Sequence, residues 1–142
     1  MIRFFDASAV VAAYAKQADS SRMRELLARE GAAVSRLAEV ETVSALARLV
    51  REDAIAGADR DAAIASFLED LGGWEIVEVT REVTARAREV ILAHPLKASD
   101  AVQLASALVL QSRIGNPLDA FVTLDARLLD AARRERLTVP AG

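Results

Sequence analysis

Apolar and polar positions follow two rhythms along this chain. Short apolar runs end abruptly on charged or hydroxyl residues. Between them lie longer stretches with apolar residues at helical spacing. Residues 2–6 (Ile-Arg-Phe-Phe-Asp) read as a first strand that ends on a carboxylate. Ser8 is a ready N-cap for a helix over 8–16. Asp19 or Ser20 starts a second helix, 21–30, which Gly31 closes. A short buried strand is expected at 32–35. Leu37, Val40, Val43, Leu46, Ala47 and Val50 then mark a helix over 36–52, and Gly57 breaks it.

Another helix is expected over 59–71, ending at Gly72-Gly73. Residues 74–79 (Trp-Glu-Ile-Val-Glu-Val) alternate as a strand does. Thr80 caps a helix that runs to 93, and 94–97 is a loop. Ser99 is expected to cap a very apolar helix over 100–111. Gly115-Asn116-Pro117 carries turn chemistry. A strand over 120–123 follows, Asp125 opens a helix to 134, and 137–139 is a last short strand. Strands alternate with helices throughout, which predicts one α/β domain over 1–142. Its short sheet is mostly parallel, with helices on both faces in three layers.

Composition narrows the chemistry. The chain has 142 residues, and 53% of them are apolar, so it is globular with a real core. With no cysteine, disulfides, thiol catalysis and cysteine-ligated zinc are excluded. A single histidine, His94, excludes a multi-histidine metal site and is expected to be structural or exposed. Any metal site must use oxygen ligands, which suits magnesium or manganese. The net charge is −3, so nucleic acid would have to be held by a local patch or by metal ions. No basic segment followed by a long apolar run opens the chain, and no membrane span is found, so a cytoplasmic protein is expected.

Four acids stand at element junctions: Asp6, Glu41, Asp100 and Asp125. In a parallel sheet with right-handed crossovers, strand carboxyl ends and the helix N-termini that follow lie on one edge. All four acids are therefore expected at one cleft. Each also has a plain structural reading. Asp125 can be an N-cap, Asp100 can answer a helix dipole, and Glu41 can be a solvated helix residue. Asp6 is the hardest to explain that way, because it follows a buried strand directly. Two carboxylates about 4 Å apart repel by about 4 kcal/mol at an effective dielectric of 20. A shared cleft would raise their pKa values or draw in cations, and a divalent metal is the economical answer. Such a site activates water and stabilises charge on a phosphodiester.

Glu39 competes with Glu41 but lies about 200° away around the helix, so Glu41 is preferred. Arg48 is nearly in line with Glu41 and reads as a phosphate or partner contact, or as half of a surface ion pair. Ser8, Ser99 and Thr123 sit beside the acids as hydrogen-bonding support, with capping as the competing reading. Arg36, Lys97 and Arg127 lie near the same edge, as phosphate contacts or as solvated charges.

The blocks Phe-Phe-Asp-Ala-Ser-Ala, Val-Ser-Arg-Leu-Ala-Glu-Val-Glu, Leu-Lys-Ala-Ser-Asp-Ala-Val-Gln-Leu-Ala-Ser-Ala-Leu and Phe-Val-Thr-Leu-Asp occur here in that order. Together they resemble the PIN domain, and more narrowly the VapC-type toxins of bacterial toxin–antitoxin pairs. The resemblance implies a PIN-like fold and a Mg2+- or Mn2+-dependent endoribonuclease. It places metal binding on Asp6, Glu41, Asp100 and Asp125. It gives Thr123, with Ser8, a water- or acid-orienting role. It further implies an RNA substrate, a VapB-like antitoxin whose tail blocks the cleft, and a homodimer. Val102-Gln103 departs from the family's usual alanine or leucine followed by histidine, and Ser8 stands where threonine is common.

Three other readings stay open. One is a PIN nuclease of RNA processing rather than a toxin. Another is phosphotransfer at Asp6, against which no second Asp stands two residues on. The last is an interaction module, suggested by Leu37, Leu46, Leu49 and Val50 on different sides of one helix.

Overall fold

The computed structural model describes residues 1–16 and 18–140. Four parallel strands form one sheet in the order β3-β2-β1-β4. They are β1 (Arg3–Phe5), β2 (Ala32–Ser35), β3 (Glu75–Val77) and β4 (Ala120–Val122). Strand β1 is central. Phe4 pairs with Ala33 on one side and with Phe121 on the other.

Side chains alternate across the sheet, so neighbours in sequence enter different cores. Phe4, Ala33, Val77 and Phe121 face one core, covered by α5 (Arg81–Ala93), α6 (Ala98–Ile114) and α7 (Ala126–Arg134). The Phe4 and Phe121 rings stack there with centroids 5.7 Å apart. Phe5, Ala32, Val34, Ala120 and Val122 face the other core. That side is covered by α1 (Ala7–Tyr14), α2 (Ser20–Ala28), α3 (Leu37–Arg51) and α4 (Gly57–Leu71). Because both faces are buried, β1, β2 and β4 read as continuous apolar runs rather than as alternating ones. The expected three-layer α/β arrangement is the one found.

The differences from expectation lie at element ends. Asp6, not Ser8, caps α1, since its side chain accepts from the Ala9 N–H. Ser8 falls inside the first turn, which frees its hydroxyl for other work. Ser99 does not cap α6; that helix starts two residues earlier than expected, with Lys97 at the cap position and no side-chain capping bond. Gly57 is the first residue of α4 and not the break itself, which falls between α3 and α4. Strand β3 is shorter than 74–79. Residues 137–139 form no strand; they contribute one backbone bond to β4, Phe121 N–H to Thr138 O at 2.7 Å. Helix α3 buries only Ala38, Thr42 and Leu46, so its remaining apolar residues do not form a second buried face.

Gly31 has a structural reason to be glycine. It sits at φ +90, and a Cβ there would lie 2.0 Å from the Met1 carbonyl oxygen. The turn thereby holds β2 tight against the start of β1, and the Arg3 N–H donates to Gly31 O at 2.8 Å.

Candidate functional site

Asp6, Glu41, Asp100 and Asp125 line one cleft of about 690 Å³. Each arrives on a different element: the end of β1, the second turn of α3, the first turn of α6 and the cap of α7. Parallel topology brings these ends to one sheet edge. Ser8 and Arg48 share the lining, together with Lys97, Gln103, Val40 and Leu124.

Asp6 is the best-defined member. It is 3% exposed. Ser8 Oγ donates to Asp6 Oδ1 at 2.8 Å and lies 3.0 Å from Oδ2. Thr123 Oγ1 donates to Oδ2 at 2.7 Å, and the Ala9 N–H donates to Oδ1 at 3.1 Å. The two hydroxyls are themselves aimed by backbone. Leu124 N–H donates to Ser8 Oγ at 3.0 Å, and Asp125 N–H donates to Thr123 Oγ1 at 3.0 Å. The loop after β4 therefore locks the acid at the end of β1. The polar partners of Asp6 are two hydroxyls and one amide, and no cation is among them. Burial pushes its pKa up to about 6 against these hydrogen bonds, and the Asp100 charge adds to the rise.

Two of the other acids sense the same crowding. Burial raises the Glu41 carboxyl, and Asp100 adds to the rise, while Gln103 and Lys97 oppose it. Burial also raises Asp100; Lys97 opposes that rise and Asp125 adds to it. Asp125 caps α7, accepting from the Leu128 N–H at 2.9 Å. Its structural reading holds, and it lines the cleft as well.

Glu39 is tied instead to Arg36 at 2.9 Å, and Arg36 forms a further pair with Glu78 at 2.7 Å. Both stand outside the cleft lining. Arg127 is exposed and also outside it, and Ser99 is not among the lining residues. Arg48 forms the expected surface ion pair, lying 3.8 Å from Glu52, and it also lines the cleft. His94 is structural, buried with Nε2 2.6 Å from Glu135 Oε2, and it is outside the cleft lining. Sequence reasoning treated Gln103 only as a departure from a family pattern. It donates to Glu41 Oε1 at 2.7 Å, and its one readable signal was its position one turn beyond Asp100.

Among the described residues, no three Asp, Glu, His or Cys side chains stand close enough together to hold a metal ion as placed. The four acids share a cleft and do not form a closed cage. The donor set nonetheless fits a hard divalent cation. All donors are oxygens, one acid is buried without a cation, and Asp100 adds to the raised pKa of Asp6 and of Glu41. Magnesium takes one or two carboxylates directly and keeps several waters, which suits an open ring of acids.

Fold and cleft together define a small parallel α/β domain with an acid-lined carboxyl edge. The chain belongs to the PIN domain family, whose model matches residues 3–134. Among solved structures it is similar to VapC20 of Mycobacterium tuberculosis, a sarcin–ricin-loop-cleaving toxin. The TM-score is 0.65 at 21% identity, over 91% of this chain and 94% of that one. It is similar to VapBC2 of Rickettsia felis, solved bound to a fragment of promoter DNA, with TM-score 0.66 at 16% identity, over 99% and 98% of the chains. A toxin–antitoxin complex from Klebsiella pneumoniae matches with TM-score 0.64 at 16% identity, over 88% of each chain. At these identities the likeness is one of fold. No curated protein matches the sequence. No helix among the described residues is long and apolar enough to cross a membrane.

Proposed function

We propose that this protein is a Mg2+- or Mn2+-dependent endoribonuclease and the toxin of a toxin–antitoxin pair. One observation carries the reading. Four acids from four separate elements line one cleft, and the most buried of them, Asp6, has no cationic partner. Membership of the PIN family and the likeness to VapC toxins support the nuclease and toxin parts of it.

In this reading Asp6, Glu41, Asp100 and Asp125 hold the metal. When bound, a divalent cation supplies charge neutralisation and makes water more acidic. The protein's own groups do the positioning. Ser8 and Thr123 fix both Asp6 oxygens, so the ligand is set before substrate arrives. Lys97 and Arg48 stand at the cleft to receive RNA phosphates, offsetting the local acid charge. Water attacks phosphorus, one P–O ester bond breaks, and the departing oxygen takes up a proton.

The cleft lips favour a protein partner too. Val40 is 62% exposed and Leu124 42% exposed, and both line the cleft beside the acids. An antitoxin segment with apolar residues flanking a basic one would cover both features and exclude RNA. A homodimer working in the cytoplasm completes the proposal.

The test is cleavage of labelled RNA with Mg2+ or Mn2+, with and without chelator. The expected result is cleavage that chelator abolishes. Asp100→Asn should be inactive and folded. Full activity in chelator, or in Asp100→Asn, overturns the proposal.

A further inference from the structure

Gln103 is the one buried amide at the cleft. It is 1% exposed and lies on α6 one turn after Asp100. Residues three apart on a helix share a face, so α6 presents an acid and an amide to the same cleft, which both side chains line. The amide reaches across to α3 and donates to Glu41 Oε1 at 2.7 Å. Its own Oε1 is buried and accepts no hydrogen bond. An unmade hydrogen bond at a buried oxygen is costly. A methionine or leucine of similar volume would fill the same space without that cost, so packing does not account for a glutamine here. The Glu41 contact does.

The geometry points to Gln103 as a positioning residue that holds Glu41 in place for the divalent cation. It rests on the metal-binding reading above. Glu41 is half-buried at the open cleft, beside Val40, which is 62% exposed, and a glutamate side chain has three torsions to fix. The Gln103 donor commits one carboxylate oxygen and leaves the other for the ion. Asp100 and Glu41, which come from different helices, are thereby set relative to one another through a single α6 face. Outer partners of metal ligands orient them in this way, and losing one commonly lowers metal affinity by about 10- to 100-fold.

The experiment is Mn2+ binding to the intact chain, read as free Mn2+ by electron paramagnetic resonance. Four proteins are compared: wild type, Gln103→Met, Glu41→Ala and the double variant. Gln103→Met should weaken Mn2+ binding about 10-fold. In the Glu41→Ala background the same change should alter affinity by less than about twofold, because its partner is already gone. Unchanged affinity in Gln103→Met overturns the inference, as does an equal loss in both backgrounds. A wild-type protein that binds no Mn2+ overturns the metal reading itself, a result distinct from either. If Gln103→Met does not fold, the side-chain amide resonance of Gln103 in wild type replaces it. That resonance should shift on adding Mg2+ and move to a solvent-like position in Glu41→Ala. A resonance indifferent to both changes overturns the inference.

Discussion

Strand β1 carries a buried charge at each end, and the two ends are treated differently. At its start, Arg3 is 8% exposed. Its guanidinium donates to the Glu30 carbonyl at 2.6 Å and lies 3.6 Å from Asp119. At its end, Asp6 is more deeply buried and is met only by neutral donors. The amino edge of the sheet closes its charge within the protein. The carboxyl edge leaves its charge open and gathers three more acids around it. A buried, paired cation is ordinary architecture, whereas a buried acid among other acids either keeps its proton or takes a cation. The same strand thus separates a charge that is paired within the protein from the charge that the proposed function assigns to a metal ion.

The largest effect that would break this contrast is on cleavage. Asp6→Asn keeps the shape and the capping group but removes the charge. RNA cleavage in Mg2+ should fall at least about 1,000-fold, read on a labelled RNA by gel, while circular dichroism stays native. Activity within tenfold of wild type would place the chemistry elsewhere.

The same variant should move stability in the opposite direction. Asp6 titrates at about 6 in the folded chain against 3.8 for a free aspartate. Between these values the folded state holds more protons than the unfolded state. Stability therefore falls as pH rises from about 4 to about 6 and stays lowered above that window. At pH 7.5 in chelator the burden amounts to about 3 kcal/mol at most, so Asp6→Asn should raise the midpoint of urea unfolding. The gain should vanish near pH 4. A wild-type profile that rises through pH 4–6 at this site would contradict it.

At the other end of β1, Arg3→Met should do the reverse on both counts. It removes the part-buried hydrogen bond to the Glu30 carbonyl and leaves Asp119 without its Arg3 partner, a loss of about 1–3 kcal/mol in urea unfolding. Cleavage per folded molecule should be unchanged. A loss of activity in the folded variant would join the two edges and undo the contrast.

The smallest effect concerns a third charged cluster, Glu135 with His94 and Arg86, which shares no partner with Arg3 or Asp6 in these bonds. Glu135 is held below the usual carboxylate range by the His94 hydrogen bond first and by Arg86 after it. A lowered carboxyl contributes stability above its ordinary range and loses it as pH falls through the lowered value. Glu135→Gln should flatten the acid limb of the thermal stability profile slightly and leave cleavage untouched.

Much of this arrangement could be read from the residues in order. The apolar runs placed β1, β2 and β4, and the junction rule placed the four acids on one edge. Ser8 was expected beside Asp6 and is bonded to it; Thr123 was expected beside Asp125 and is bonded to Asp6 as well. What escaped was of two kinds. Helix starts were displaced by one or two residues because Asp6 and Ser8 are both good caps, and local preference does not choose between them. Long-range pairing was invisible because nothing local marks it. Gln103 meets Glu41 across 62 positions, and His94 meets Glu135 across 41. Residues 137–139 have the composition of a strand, yet they give β4 a single backbone bond, from Phe121 N–H to Thr138 O, while Leu137 N–H turns back to Ala132 O.

The central claim is that the open charge at the end of β1 takes a divalent cation. The direct measurement is anomalous diffraction from a crystal grown with Mn2+. The account predicts an anomalous peak in the cleft, at Asp6 and within reach of Asp100, Glu41 or Asp125. No peak at saturating Mn2+, or a peak only at acids outside this cleft, would contradict it.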